Sequence, residues 1–169
     1  MEDCAGDIKL NLGCGKVRWE GWINVDFEHG DVVSDLRHLD LPSGYADAAA
    51  AIHVIEHFYY WEVSLLLREW YRVLKPGGKL ILELPCMDKV IGYMHSMILK
   101  KQPFSPAMTW LALWGDPKYE DPLMMHKWGY TRDMLTKLVT DAGFANAEIL
   151  EPRYHFPIRD MRLEAVKPC

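Results

Sequence analysis

Three groups of residues in this sequence could do chemistry on a ligand. The first is Gly13-Cys14-Gly15, which follows an alternating run at residues 8–12 (I-K-L-N-L). Glycines at such a place let the chain turn sharply and let the backbone approach a ligand without a side-chain clash. The second group is acids at the ends of extended runs. Asp26 closes residues 22–26 (W-I-N-V-D), and a carboxylate there can accept both hydroxyls of a ribose. Alone, each reads as readily as a plain turn or a solvated acid; together they point to a nucleoside. Asp35 stands beside Leu36 at the end of a third run. Its carboxylate could accept from an exocyclic amine while the neighbouring N–H donates to a ring nitrogen, a pairing that would read adenine. By itself Asp35 is more simply a turn residue. The third group is His53, His57 and the distant His126. A histidine near its neutral pKa could take a proton from a hydroxyl acceptor; each could also be a satisfied structural side chain. His53, Glu56 and His57 have metal-ligand chemistry as well. No further ligand appears at a clear spacing, so no metal is expected.

These residues need elements to hold them. Alternation predicts strands at residues 8–12, 22–26, 31–36 and 79–84, and two closing strands at 147–150 and 161–166. The small apolar stretch 46–54 is placed as a fourth strand by its order in the chain, since alanine itself favours helix. Residues 62–74 carry apolar side chains at helical spacing, and Lys75-Pro76-Gly77-Gly78 stops them. Residues 131–142 form a second amphipathic helix, with Thr131 as N-cap and Gly143 as the stop. Strands alternating with helices give an α/β, Rossmann-like, mainly parallel sheet with ligands beyond the carboxyl ends of the strands. The connections 15–26 and 26–31 are too short for ordinary helices, which leaves one sheet face thinly covered. Residues 87–126, rich in Met, Trp and Pro, read as a short helix near 90–99 and an irregular insertion after strand 5. That insertion, or a second subunit, is expected to cover the thin face. Its aromatics, Trp110, Trp114, Tyr119, Trp128 and Tyr130, fit a local core or an acceptor lid.

The segments Lys9 to Gly15, Ile23-Asn-Val-Asp26, Val54-Ile-Glu-His57, Arg72-Val-Leu-Lys-Pro-Gly-Gly78 and Leu82-Glu-Leu-Pro85 resemble the class I S-adenosylmethionine-dependent methyltransferases, in their compact type 11-like group. So do His126-Lys-Trp-Gly-Tyr-Thr131 and Asp141-Ala-Gly-Phe144. The stretch 72–78 is the most specific, and the likeness spans roughly residues 8 to 167. The resemblance implies one methyltransferase domain over residues 1–169 with S-adenosyl-L-methionine as cofactor. Gly13, Cys14 and Gly15 would pass under the methionine part. Asp26 would hold the ribose, Asp35 and Leu36 the adenine, and His53 would lie near the sulfonium. Asn11 stands where an acid is common in that group, and Val17 where a third glycine is common.

Composition narrows the rest. The chain has 169 residues, enough for one self-sufficient core, and a formal net charge of −5. Without clustered Lys and Arg, a nucleic-acid backbone is not expected as partner. Cys4, Cys14, Cys86 and Cys169 form no CxxC pair and read as reduced thiols, which suggests the cytoplasm. The acidic start lacks a signal-peptide pattern, and no apolar run is long enough for a membrane span. The expected function is methyl transfer to a small-molecule or sugar-like acceptor. Its rival is a non-catalytic, methyltransferase-like binding subunit, and a homodimer is the simplest way to bury surplus apolar surface. A nicotinamide oxidoreductase is disfavoured, because Arg18 stands where the last glycine of G-x-G-x-x-G would fall.

Overall fold

The computed structural model describes residues 7–169, so Cys4 lies outside the described residues. Among those residues, seven strands make one sheet: β1 (Lys9–Leu12), β2 (Ile23–Asp26), β3 (Val32–Val33), β4 (Ala46–Ile52), β5 (Leu74–Pro85), β6 (Ala145–Leu150) and β7 (Asp160–Val166). Their order is β3-β2-β1-β4-β5-β7-β6. The first five run parallel, and β7 lies antiparallel between β5 and β6. The α-helices among the described residues are α1 (Val63–Val73), α2 (Met87–Leu99), α3 (Trp110–Trp114) and α4 (Arg132–Asp141).

The register shows how this sequence builds a sheet with two unlike faces. Leu10, Ala49, Leu80 and Ala165 sit side by side, as do Leu12, Ala51, Leu82 and Leu163. That face is apolar and buried under α1 and α4. Leu66, Leu67, Trp70 and Val73 of α1 have no exposed surface, and each such side chain stabilises the fold by about 1.5–3 kcal/mol. Trp70 Nε1 also donates to the Leu36 carbonyl (3.1 Å), tying α1 to the chain beyond β3. The alternate residues face the other way. Asn24, Asn11, Ala50, Ile81 and Glu164 share one row, and Glu83 and Arg162 the next. Glu83 is buried, pairs with Arg162 (3.3 Å) and accepts the backbone N–H groups of Arg153, Tyr154 and His155 at 2.8–3.0 Å. Loops, not helices, cover this face, and Trp19 of one loop stacks on Tyr154 of the other (4.9 Å).

This corrects one expectation. No helix follows β1 or β2 among the described residues, as the short connections required. The face they leave is not apolar, however, so it needs no apolar cover. The insertion packs elsewhere, on itself and against the carboxyl end of β4 and the amino end of β7: Arg159 Nη1 donates to the Ala107 carbonyl (3.0 Å), and the N–H groups of Lys127 and Trp128 donate to the Glu56 carbonyl (2.7 and 3.3 Å).

Other boundaries shift for local reasons. β3 shrinks to Val32–Val33, and Asp35 and Leu36 lie past it in a turn closed by a bridge to His38. α2 begins at Met87, not near residue 90, because the Met87 N–H is capped by the Tyr130 carbonyl (2.8 Å). Lys75 to Gly78 belong to β5 but bulge out of register between Leu74 and Lys79. Thr131 caps α4 through the Met134 N–H as expected, and Gly143 follows it at φ +105°.

Candidate functional site

The glycine turn leaves β1 and doubles back on β2. The N–H groups of Gly13 and Cys14 donate to the Val25 carbonyl (2.8 and 3.2 Å). Gly13 has φ +66°, and a methyl there would lie 2.6 Å from Val54 Cγ2 and close to Leu36 Cδ1. Position 13 therefore admits only glycine, for backbone and packing reasons at once. Gly15, at φ +51°, has open space where its side chain would be. Its N–H donates to Asp26 Oδ2 (2.9 Å), while Asp26 Oδ1 accepts from Glu28 N (3.0 Å) and His29 N (3.4 Å). The carboxylate is thus fixed at the tip of β2, half-buried, with acceptor capacity left. Cys14 is buried, and burial followed by the nearby Asp26 charge pushes its thiol up, so it is an inert part of the turn.

The remaining expected cofactor residues fall into two roles. Leu36 is buried against Gly13. Asn11 is buried and donates to the Val17 carbonyl (3.2 Å) and Asn24 Oδ1 (2.9 Å), which holds the turn to the sheet. Asp35 is gripped by Arg37, whose Nε and Nη2 meet its two oxygens at 2.7–3.1 Å; the hydrogen bonds from Arg37 hold its carboxyl below the usual range. Arg37 also reaches Glu62 (2.6 Å). Nothing in the sequence marked Arg37 as the partner that engages Asp35.

The histidines meet at the end of β4. The strand stops at Ile52, and His53 takes a left-handed backbone (φ +54°) fixed by its N–H on the Glu83 carbonyl (2.7 Å). A short 3-10 turn, Ile55–His57, follows. His53 precedes this turn, so the four-residue spacing of His53 and His57 does not place them on one helical face. His57 lies edge-on to His126 (4.9 Å between ring centres), and His53 lies against His155 (4.1 Å). Between them sits Glu56, 1% exposed. Its Oε1 is 2.9 Å from His53 Nδ1 and 4.0 Å from His126 Nε2, yet neither carboxylate oxygen has an aligned hydrogen-bond donor. On the far side His53 Nε2 meets Asp160 Oδ2 (3.3 Å), itself held by Arg159 Nη2 (2.9 Å).

Charge and burial compete here. Burial pushes the His53 imidazole down, but Glu56 and Asp160 outweigh it and raise it to about 9. Burial pushes the Glu56 carboxyl up, but His53 first, then His57 and His126, outweigh that and lower it to about 2. His53 therefore rests as an imidazolium at neutral pH. His57 is shifted the other way, by burial first, and rests neutral with Nδ1 on the Met125 carbonyl (3.3 Å). Sequence reasoning named all three histidines but missed Asp160, Arg159 and the central place of Glu56. The V-I-E-H string was the available signal for Glu56; Asp160 had none beyond charged residues alternating along β7.

Among known proteins, residues 16–82 match the family model described as a methyltransferase domain. A probable S-adenosylmethionine-dependent methyltransferase of Mycolicibacterium smegmatis (strain ATCC 700084 / mc(2)155) is 30% identical over 107 residues, covering 48% of this chain and 39% of its own length. The chain thus spans well under half of that relative. An S-adenosylmethionine-dependent methyltransferase from Methanosarcina mazei superposes over 96% of this chain and 92% of its own, with a TM-score of 0.61 and 21% identity. A Burkholderia thailandensis 1,6-didemethyltoxoflavin-N1-methyltransferase, solved with 1,6-didemethyltoxoflavin and S-adenosylhomocysteine, superposes over 96% and 72%, with a TM-score of 0.63 and 13% identity.

Proposed function

We propose that this chain is a class I S-adenosylmethionine-dependent methyltransferase, a reading supported by the match of residues 16–82 to a methyltransferase domain and by the 30% identical relative, and that it transfers a methyl group from S-adenosyl-L-methionine to a small-molecule or sugar-like acceptor. The observation that carries the reading is the pairing of Gly15 with Asp26: an open glycine backbone beside a fixed carboxylate with lone pairs to spare. Asp26 takes the ribose hydroxyls, and Gly13 to Gly15 pass under the methionine part. Leu36 lines the adenine side. Asp35 reaches the adenine amine only with the lone pairs that Arg37 leaves free.

Methyl transfer is an in-line displacement at a carbon already activated by the sulfonium, so the protein's main task is alignment. His53, His57 and His126 stand at the end of β4, where an acceptor would meet that carbon. His57, whose Nδ1 faces the Met125 carbonyl, keeps Nε2 for proton removal from a hydroxyl, and His53, whose two ring nitrogens face Glu56 and Asp160, orders the cluster beside the sulfonium. A small acceptor is supported by the acidic balance of the chain and by a neighbour of the same fold that was solved with a small acceptor. No helix among the described residues is long and apolar enough to cross a membrane. The exposed Ile91, Ile98 and Leu99, seven and eight positions apart on one side of α2, are the surface we assign to an isologous dimer.

Calorimetry with S-adenosyl-L-methionine tests the reading. Asp26→Ala is expected to weaken binding by about 1.5–3 kcal/mol, since it removes charge-assisted bonds. Asp26→Asn, which keeps an acceptor for the Gly15 N–H, should lose less. Wild-type protein that takes up no cofactor would overturn the proposal in favour of a binding subunit.

A further inference from the structure

The cluster at the end of β4 has more acceptor positions than protons to share among them. His126 Nδ1 lies 2.9 Å from the Ala112 carbonyl, which can only accept, so Nδ1 carries the hydrogen and Nε2 of the neutral ring offers a lone pair. His53 Nε2 faces the Asp160 carboxylate (3.3 Å), so in the neutral ring the lone pair is on Nδ1. Both free nitrogens turn toward Glu56 Oε1, at 2.9 and 4.0 Å. The carboxylate is 1% exposed and has no aligned donor on either oxygen. An unpaired buried charge is costly, and natural structures hold one only when it is compensated. A proton on His53 Nδ1 would answer Oε1 alone. It would leave Oε2 and His126 Nε2 without a partner.

We propose that His53, Glu56 and His126 bind a single divalent transition-metal ion. One candidate ligand atom from each residue lies within 4.8 Å of the others. Ligands about 2.1 Å from a shared ion stand roughly 3.0–3.4 Å apart, so small side-chain rotations close the set. Two imidazoles with one carboxylate select zinc, iron(II), cobalt or nickel over magnesium and calcium, which prefer all-oxygen shells. Asp160 and the Ala112 carbonyl then act as the outer partners that orient each ring, the usual arrangement around metal-bound histidine. Three protein ligands leave open positions on the ion. That these would take an acceptor oxygen rests on the methyl-transfer reading; metal binding itself does not.

The test uses the full chain without a histidine tag, stripped with chelator and titrated with Co²⁺. Uptake is followed by its visible absorption and by metal analysis. One ion per chain is expected, with a ligand-field spectrum of nitrogen and oxygen donors. Glu56→Gln and His126→Ala should each weaken binding by more than about 100-fold, and Asp160→Asn by about 10–100-fold. His95→Ala, on the exposed side of α2, should bind as the parent does. Far-UV circular dichroism of each variant reports its fold, and the parent's stoichiometry stands apart from any variant. Uptake well below one ion per chain, or equal affinity in Glu56→Gln and His126→Ala, overturns the proposal. Cofactor calorimetry on the same stripped protein separates this outcome from a failure of the methyl-transfer reading.

Discussion

The glycine turn and the histidine cluster flank the same strand ends but are built on opposite plans. The turn draws its hydrogen bonds from residues 11–26 and rests on backbone: two N–H groups on Val25, one on Asp26, and a Gly13 whose missing side chain makes room for Val54. The cluster joins residues 53–57, 126 and 155–160, and it rests on side chains that meet only after the insertion and β7 have packed. A local site stays correct as long as its loop does. An assembled site fails if any one of its remote supports moves.

The largest effect expected is on the local site. Gly13→Ala puts a methyl 2.6 Å from Val54 Cγ2 in a left-handed backbone. It should destabilise the protein by about 2–4 kcal/mol and abolish cofactor binding, as read by urea denaturation and calorimetry. A stable Gly13→Ala protein that still binds would remove the claim that backbone geometry governs this region.

Gly115→Ala probes the assembled site from a distance. Gly115 has φ +86°, and a methyl there would lie 2.5 Å from the Met124 carbonyl and near His126 N. A cost of about 1–3 kcal/mol is expected. His126 should be displaced, with loss of Co²⁺ uptake but little change in cofactor affinity. If both functions fell together, the two regions would not be separable.

Gly15→Ala meets open space, so only the strain of its φ, about 1–2 kcal/mol, should appear in stability. Cofactor affinity should nevertheless drop, because the methyl occupies space assigned to the ligand. Unchanged affinity would move the ligand off this turn.

The smallest effect concerns Asp35. Arg37 holds its carboxyl below the usual range, so the pair contributes stability at pH values above that range and loses it as pH falls through the lowered value. Both side chains are more than a third exposed, which limits the contribution to under about 1 kcal/mol. Asp35→Asn should therefore be slightly less stable than the parent at pH 7, and the gap should close as pH falls below the usual carboxylate range and through the lowered value. A gap that persists in acid would show that the pair is not the source.

Much of the first region was legible because it is written consecutively. A strand ending in G-x-G and a second ending in Asp can be read without knowing what packs on them, since turn geometry depends on neighbouring residues alone. The α/β order, the Thr131 cap and the Gly143 stop were legible for the same reason. The alternation in I-K-L-N-L, L-I-L-E-L and M-R-L-E-A was also present in the sequence. Only the register decided its meaning, by aligning every polar position on one face and so doing away with the need for missing helices. Tertiary structure alone decided the second region. His126 lies 70 positions from Glu56 in the chain (126 minus 56), and it arrives because the Glu56 carbonyl accepts two N–H groups from the residues that follow it. Asp160 arrives because β7 runs antiparallel to β5, which carries its first residue to the end of β4. Side-chain chemistry at such distances has no local signature, because loop closure and strand pairing, not residue spacing, set which groups meet.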